Sequence, residues 1–213
     1  MKTDDFIEAL VQDAASRPQR SLAQRVLGAA LLGAHVSVTL FVLALGVRSD
    51  LSSAFETWRF AFKFALSLVC MACAWRACLE LARPEVRLLD VVGWIAVPPA
   101  LLAVAVLYEL AVMPPAQWYE RAAGLYASTC LSAIPLLSIM PLVALLIALR
   151  AGAPRSPTAT GAVAGLLAGG LSAALYATHC PDDSPLFVAV WYTLAVGLVT
   201  LTGALAGRRV LRW

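Results

Sequence analysis

The sequence is short of charge. Asp, Glu, Lys and Arg supply 14% of its 213 residues, where a water-soluble domain carries about 25%. With 61% hydrophobic residues, that deficit is too large to be a core effect alone. There is no strong acidic or basic block, which argues against direct contact with nucleic acid. There is no signal-peptide pattern either. Asp4, Asp5, Glu8 and Asp13 stand where a basic start and an unbroken apolar run are needed. No cleavage site follows, so the first apolar run is expected to be retained. Five cysteines do not make a disulfide framework in a chain of this size. No internal repeat is evident.

Apolar runs dominate instead. A bilayer core about 30 Å thick needs about 20 apolar residues of helix. Six stretches qualify: 26–47, 60–81, 88–112, 122–149, 158–178 and 185–206. Short connections make neighbours antiparallel. The expected fold is all-α, an integral membrane bundle of six transmembrane helices over 26–213. Residues 1–25 form a cytoplasmic partner-binding segment.

Lys and Arg set the orientation. With the N-terminus inside, the inner side holds Lys2, Arg17, Arg20, Arg25, Arg76, Arg83, Arg87, Arg150, Arg155, Arg208, Arg209 and Arg212. The outer side holds Arg48, Arg59, Lys63 and Arg121. These are 12 and 4 of the 16 basic residues, which predicts both termini in the cytoplasm. Trp58, Trp118, Tyr119 and Tyr176 fall near the outer interface, and Trp75, Trp94 and Trp213 near the inner one, as an aromatic belt requires.

Within the spans, Gly161, Gly165 and Gly169 recur at every fourth position and predict a close helix crossing. Pro98, Pro99, Pro135 and Pro141 are tolerated or form a hinge. His35 lies mid-span, where an imidazole bonds across helices or serves a function. Arg76 and Glu80 have the spacing of a helical ion pair. Glu109 and Glu120 read as solvated loop charges beside Arg121.

Residues 3–15 read as an amphipathic helix with an Asp5/Glu8 capping box. Phe6, Ile7, Leu10, Val11 and Ala14 form its apolar stripe. A membrane-surface helix is rich in Lys and Arg on its polar face, and this one is acidic until Arg17. The stripe is expected to dock on a partner; packing on the membrane or on the protein's own loops is the alternative.

Cysteine is where chemistry concentrates. Cys70 and Cys73 form a CxxC, with Cys78 following, inside an apolar span where thiols stay inert. Counting back about 20 residues from Leu149 reaches Cys130, and Cys180 lies just past the outer end of the fifth span. Both thiols can sit at one outer level, in a compartment that oxidises them. His179, Cys180 and Asp182 offer a weak metal-ligand set without paired spacing. The bland alternative is a turn punctuated by Pro181 and Pro185, with Asp183 or Ser184 capping the last helix.

The opening Met1-Lys2-Thr3-Asp4-Asp5-Phe6-Ile7-Glu8-Ala9-Leu10 resembles the start of the NrsF-like family of membrane proteins. So does the C-terminal third: His179-Cys180-Pro181-Asp182-Asp183-Ser184-Pro185-Leu186-Phe187, then Trp191-Tyr192, then a glycine-spaced helix ending Gly207-Arg208-Arg209-Val210-Leu211-Arg212-Trp213. The resemblance implies an anti-sigma factor that holds an extracytoplasmic-function sigma factor at the inner membrane and releases it under stress. It implies no enzyme activity and calls for no cofactor. Joined to the residue reading, it makes Cys130 and Cys180 the expected sensor of oxidants or thiophilic metals. The alternative is a membrane thiol oxidoreductase or a small metal transporter.

Overall fold

A computed structural model describes residues 21–212 together with Thr3 and Ile7. Among these residues every regular element is helical. Six helices are long and apolar enough to cross a membrane: α1 (Leu22–Ala44), α2 (Trp58–Leu81), α3 (Leu88–Val112), α4 (Ala127–Leu149), α5 (Pro157–Ala177) and α6 (Pro185–Val210). Large apolar side chains such as Leu43, Leu89, Leu107 and Leu136 stand exposed along the outside, as a lipid-facing surface requires.

Local chemistry sets the boundaries. α1 starts ahead of the expected residue 26, because Ser21 and Gln24 cap it reciprocally. It stops where Gly46 turns to φ 71°, a conformation glycine adopts freely. Thr57 caps α2, and Ser156 caps α5 with Pro157 at its first position. The expected run 122–149 is two helices. A short one at Trp118–Ala123 ends at Gly124, φ 60°, and α4 begins at Ala127. A Cβ at Gly124 would collide with the Phe187 ring. α6 opens with one wide turn over Val188–Tyr192, where the Thr193 N–H reaches back to the Val188 carbonyl.

α5 is the central helix, enclosed by α2, α4 and α6; α1 leans on α4 and α3 on α2. The α5–α6 crossing is backbone on backbone. A Cβ on Gly161 would strike the Gly203 carbonyl, and one on Gly207 would lie 2.7 Å from the Pro157 carbonyl. Small residues permit this approach, which replaces the hydrophobic drive that lipid does not supply. The glycine stripe of α5 therefore meets a second stripe on α6.

Two apolar clusters fill the bundle. One joins Val26, Leu81, Val91, Leu149 and Leu211, at the end where α1 begins and α6 finishes. The other joins Cys130, Tyr176, Cys180, Phe187 and Tyr192 at the far end. Tyr176 is thus a core residue, not part of an interfacial belt, because its ring faces Tyr192 and His179. The prolines do not break their helices: α3 runs through Pro98 and Pro99, and α4 through Pro135 and Pro141. His35 is exposed on α1. Arg76 and Glu80 pair at 3.6 Å, with the guanidinium over Trp94.

Candidate functional site: a thiol pair bound into a buried charge network

The connection between α5 and α6, residues 178–184, carries Cys180. Its backbone turns immediately after α5, since the N–H groups of His179 and Cys180 both donate to the Tyr176 carbonyl at 3.0 Å. That turn folds the Cys180 side chain inward, to zero exposure. Cys130 enters the same cluster from the first turn of α4 and is equally buried. Burial pushes the Cys180 thiol up from its ordinary range, opposed by the nearby Lys63 ammonium.

Two ionisable side chains inside the apolar helices organise this end. Lys63 of α2 is fully buried. Its Nζ lies 2.5 Å from Asp183 Oδ1 and donates to the Cys180 carbonyl at 2.7 Å and the Asp182 carbonyl at 3.5 Å. The rings of Phe60 and Tyr192 flank the same ammonium. Glu109 of α3 is also fully buried; Arg59 reaches it at 3.1 Å, and Ser184 Oγ donates to it at 3.3 Å. Arg48 then closes the network, donating to Asp183 Oδ2 at 3.0 Å and to Asp50 at 2.7 Å. Its two acidic partners hold the guanidinium further toward its charged form. Removing one partner from a buried ion pair costs about 3–5 kcal/mol, because it strands the other charge.

Glu109 is therefore not a solvated loop charge, and Lys63 and Arg59 are anchors of this network. They were open to detection. Lys63 and Glu109 fall inside the apolar runs 60–81 and 88–112, and a charge there is costly until it finds a partner.

The remaining sequence candidates have definite places. Asp182 Oδ2 accepts the N–H groups of Leu125 at 2.9 Å and Tyr126 at 2.8 Å. His179 Nδ1 sits 2.9 Å from the Gly46 carbonyl, which assigns the proton to Nδ1. Ser184 caps α6, accepting from the Leu186 N–H at 3.3 Å. His179, Cys180 and Asp182 thus point to separate partners. Among the described residues no three His, Cys, Asp or Glu side chains are gathered as a metal site. Cys70, Cys73 and Cys78 lie along α2. Of the N-terminal stripe, Phe6, Leu10 and Val11 lie outside the described residues, and Ile7 is helical and exposed.

Residues 10–213 match the NrsF family, described as "Negative regulator of sigma F". The chain belongs to the NrsF family. Most of the opening decapeptide lies ahead of that match, whereas the C-terminal third lies inside it. Two curated relatives extend over the whole of both chains. One is the "Anti-sigma-F factor NrsF" of Caulobacter vibrioides (strain NA1000 / CB15N), 34% identical over 216 residues. The other is the "Probable anti-sigma-F factor NrsF" of Azospira oryzae, 32% identical over 220 residues. No solved structure matches the chain. The NrsF relatives are thus named as regulators, not enzymes, and the thiol and charge cluster lies wholly within the family match.

Proposed function

We propose that this protein is an anti-sigma factor of the bacterial inner membrane. It holds an extracytoplasmic-function sigma factor on its cytoplasmic N-terminal segment and releases it when an oxidant or thiophilic metal reaches Cys130 and Cys180. Both termini lie in the cytoplasm, which puts the far-end cluster toward the periplasm. Family membership supports the regulatory class, and the basic-residue bias supports the orientation. The stripe Phe6, Ile7, Leu10 and Val11 is the sigma contact.

One observation carries the sensor: two thiols distant in sequence are buried in one cluster, away from the three in α2. The path to the N-terminal segment runs along α4. Cys130 sits at its start, and further along it Pro141 packs directly against Gly33 of α1, the helix that follows the segment. A change in how α4 seats against the 178–184 loop is thereby passed to α1. Such a switch needs two states with different affinity for sigma. Complete burial of both thiols suits a device that must be opened, where a turnover enzyme needs an accessible low-pKa thiol.

Inducer-dependent reporter activity in the five single Cys→Ser variants, at matched protein levels, tests this reading. Serine keeps the volume but forms no disulfide and binds soft metals poorly. Cys130→Ser and Cys180→Ser are expected to blunt induction while repression persists, and the α2 variants to respond normally. Lost induction in the α2 variants alone would place the sensor elsewhere.

A further inference from the structure

The Cys180 loop is wrapped around one ammonium. Three oxygens from its residues 180–183 converge on Lys63 Nζ: the Cys180 carbonyl at 2.7 Å, Asp183 Oδ1 at 2.5 Å and the Asp182 carbonyl at 3.5 Å. A lysine inside an apolar helix is expensive. Here it is fully buried, and the loop supplies the oxygens that meet its charge. The same loop holds the start of α4, because Asp182 Oδ2 accepts the Leu125 and Tyr126 N–H groups. The Tyr126 carbonyl in turn accepts the Cys130 N–H at 2.8 Å. An unbroken chain of bonds therefore runs from Lys63 through Cys180 and Asp182 to Cys130.

We infer that Lys63 is the positioning residue of the thiol pair: it sets the Cys180 loop on α2 and, through Asp182, against the first turn of α4 that carries Cys130. The inference rests on the reading of Cys130 and Cys180 as a working pair. Its chemistry is disulfide formation with a two-electron oxidant. Each thiol gives up one proton and one electron, the two S–H bonds break, one S–S bond forms, and the oxidant takes up both protons and both electrons. A disulfide demands Cα atoms within about 7 Å and aligned Cβ vectors. The pairing rate therefore depends on loop placement far more steeply than the reactivity of either thiol alone.

The test uses the full chain in membrane vesicles. The azodicarboxamide diamide serves as oxidant, with the Cys130–Cys180 disulfide quantified by mass spectrometry. Parallel samples give the rate at which N-ethylmaleimide alkylates each thiol. The readout is the ratio of pairing to alkylation. In Lys63→Met, which keeps the stem and loses the charge, the ratio is expected to fall at least tenfold. Thr160→Ala supplies the comparison. Its hydroxyl donates to the Leu81 carbonyl in the opposite cluster, so its loss loosens the bundle without touching the loop, and the ratio should stay within threefold of the native value. An unchanged ratio in Lys63→Met overturns the inference, and so does an equal fall in both variants. Should Lys63→Met fail to accumulate, Asp183→Asn, which weakens the same tether, is read by the same criteria. If the native chain forms no Cys130–Cys180 disulfide, the thiol-pair reading itself fails; if it pairs and Lys63→Met pairs equally well, only the role of Lys63 fails.

Discussion

The Ser37 hydroxyl of α1 donates to the Leu137 carbonyl of α4 at 2.7 Å, in a fully buried contact. That carbonyl is the one Pro141 leaves without an intrahelical donor, since proline has no N–H to offer four residues on. The close approach of Gly33 to Pro141 brings the hydroxyl within reach. The proline thus frees the Leu137 carbonyl as an acceptor for α1.

Ser37→Ala should therefore destabilise the α1–α4 contact by about 0.5–1.5 kcal/mol. Pro141→Ala restores the intrahelical donor, so Ser37→Ala made on top of it should cost less. A double-mutant cycle on thermal stability in detergent measures the coupling. Strict additivity would mean that the hydrogen bond does not depend on the proline.

The α5–α6 crossing gives a second prediction. Gly207→Ala places a methyl 2.6 Å from Gly161 Cα, a backbone collision that no rotamer relieves. Overpacking of this kind costs about 1–3 kcal/mol. Gly197 of the same helix has nothing within 4 Å of a built Cβ. Gly197→Ala should be neutral or gain up to about 1 kcal/mol from helix propensity. Melting temperatures of the two variants in one detergent check the contrast.

Acid acts on the Arg48–Asp50 pair. Its hydrogen bonds from Arg48 hold the Asp50 carboxyl down at about 2, against an ordinary 3.8. A depressed carboxyl contributes stability above its unfolded-state pKa and loses it as pH falls through the folded one. Asp50→Asn should thus lower the melting temperature slightly above pH 4, and the two proteins should converge near pH 2. The carboxylate is exposed, so the difference should also shrink with salt. A difference that widens in acid would reverse the sign.

The N-terminal segment and the orientation can be read in cells. Reporter fusions after Arg20 and Arg155 should signal cytoplasm and one at Asp182 periplasm; a cytoplasmic signal at Asp182 would refute the six-span orientation. Replacing two of Phe6, Ile7 and Leu10 by Asp should raise sigma-dependent transcription without stress at normal protein abundance. Each buried apolar side chain contributes roughly 1.5–3 kcal/mol to such a contact. Unchanged transcription would exclude the stripe.

Much of the scaffold was legible because lipid-spanning helices announce themselves by length. The run 88–112 coincides with α3 to the residue. The run 122–149 misplaced the start of α4, because Gly124 breaks the helix through a positive φ that hydropathy does not register. The glycine stripe of α5 told of a close crossing, but its partner could be named only once the second stripe, Val199, Gly203 and Gly207, was seen opposite it. At the site, counting residues brought Cys130 and Cys180 to one level. Glu109 reads from sequence as a loop charge, and Lys63 only as an outer-side cation, because orientation rules count Lys and Arg by position and ignore pairing. Lys63 and Glu109 bond to residues far away in the chain, and no periodicity encodes such partners.

The wide turn at Val188–Tyr192 has a consequence for the phase of α6. Each residue of an α-helix advances the facing direction by about 100°, so one extra residue in a turn offsets everything downstream by that angle. Ahead of the turn, Phe187 is directed into the thiol cluster; after it, Val199, Gly203 and Gly207 are directed onto α5. A single helix thereby keeps two registers, one on each side of the turn. Deleting one residue within the turn would retain the helix and its hydropathy yet set the two registers against each other, so that the glycine crossing could form only by withdrawing Phe187 from the thiols.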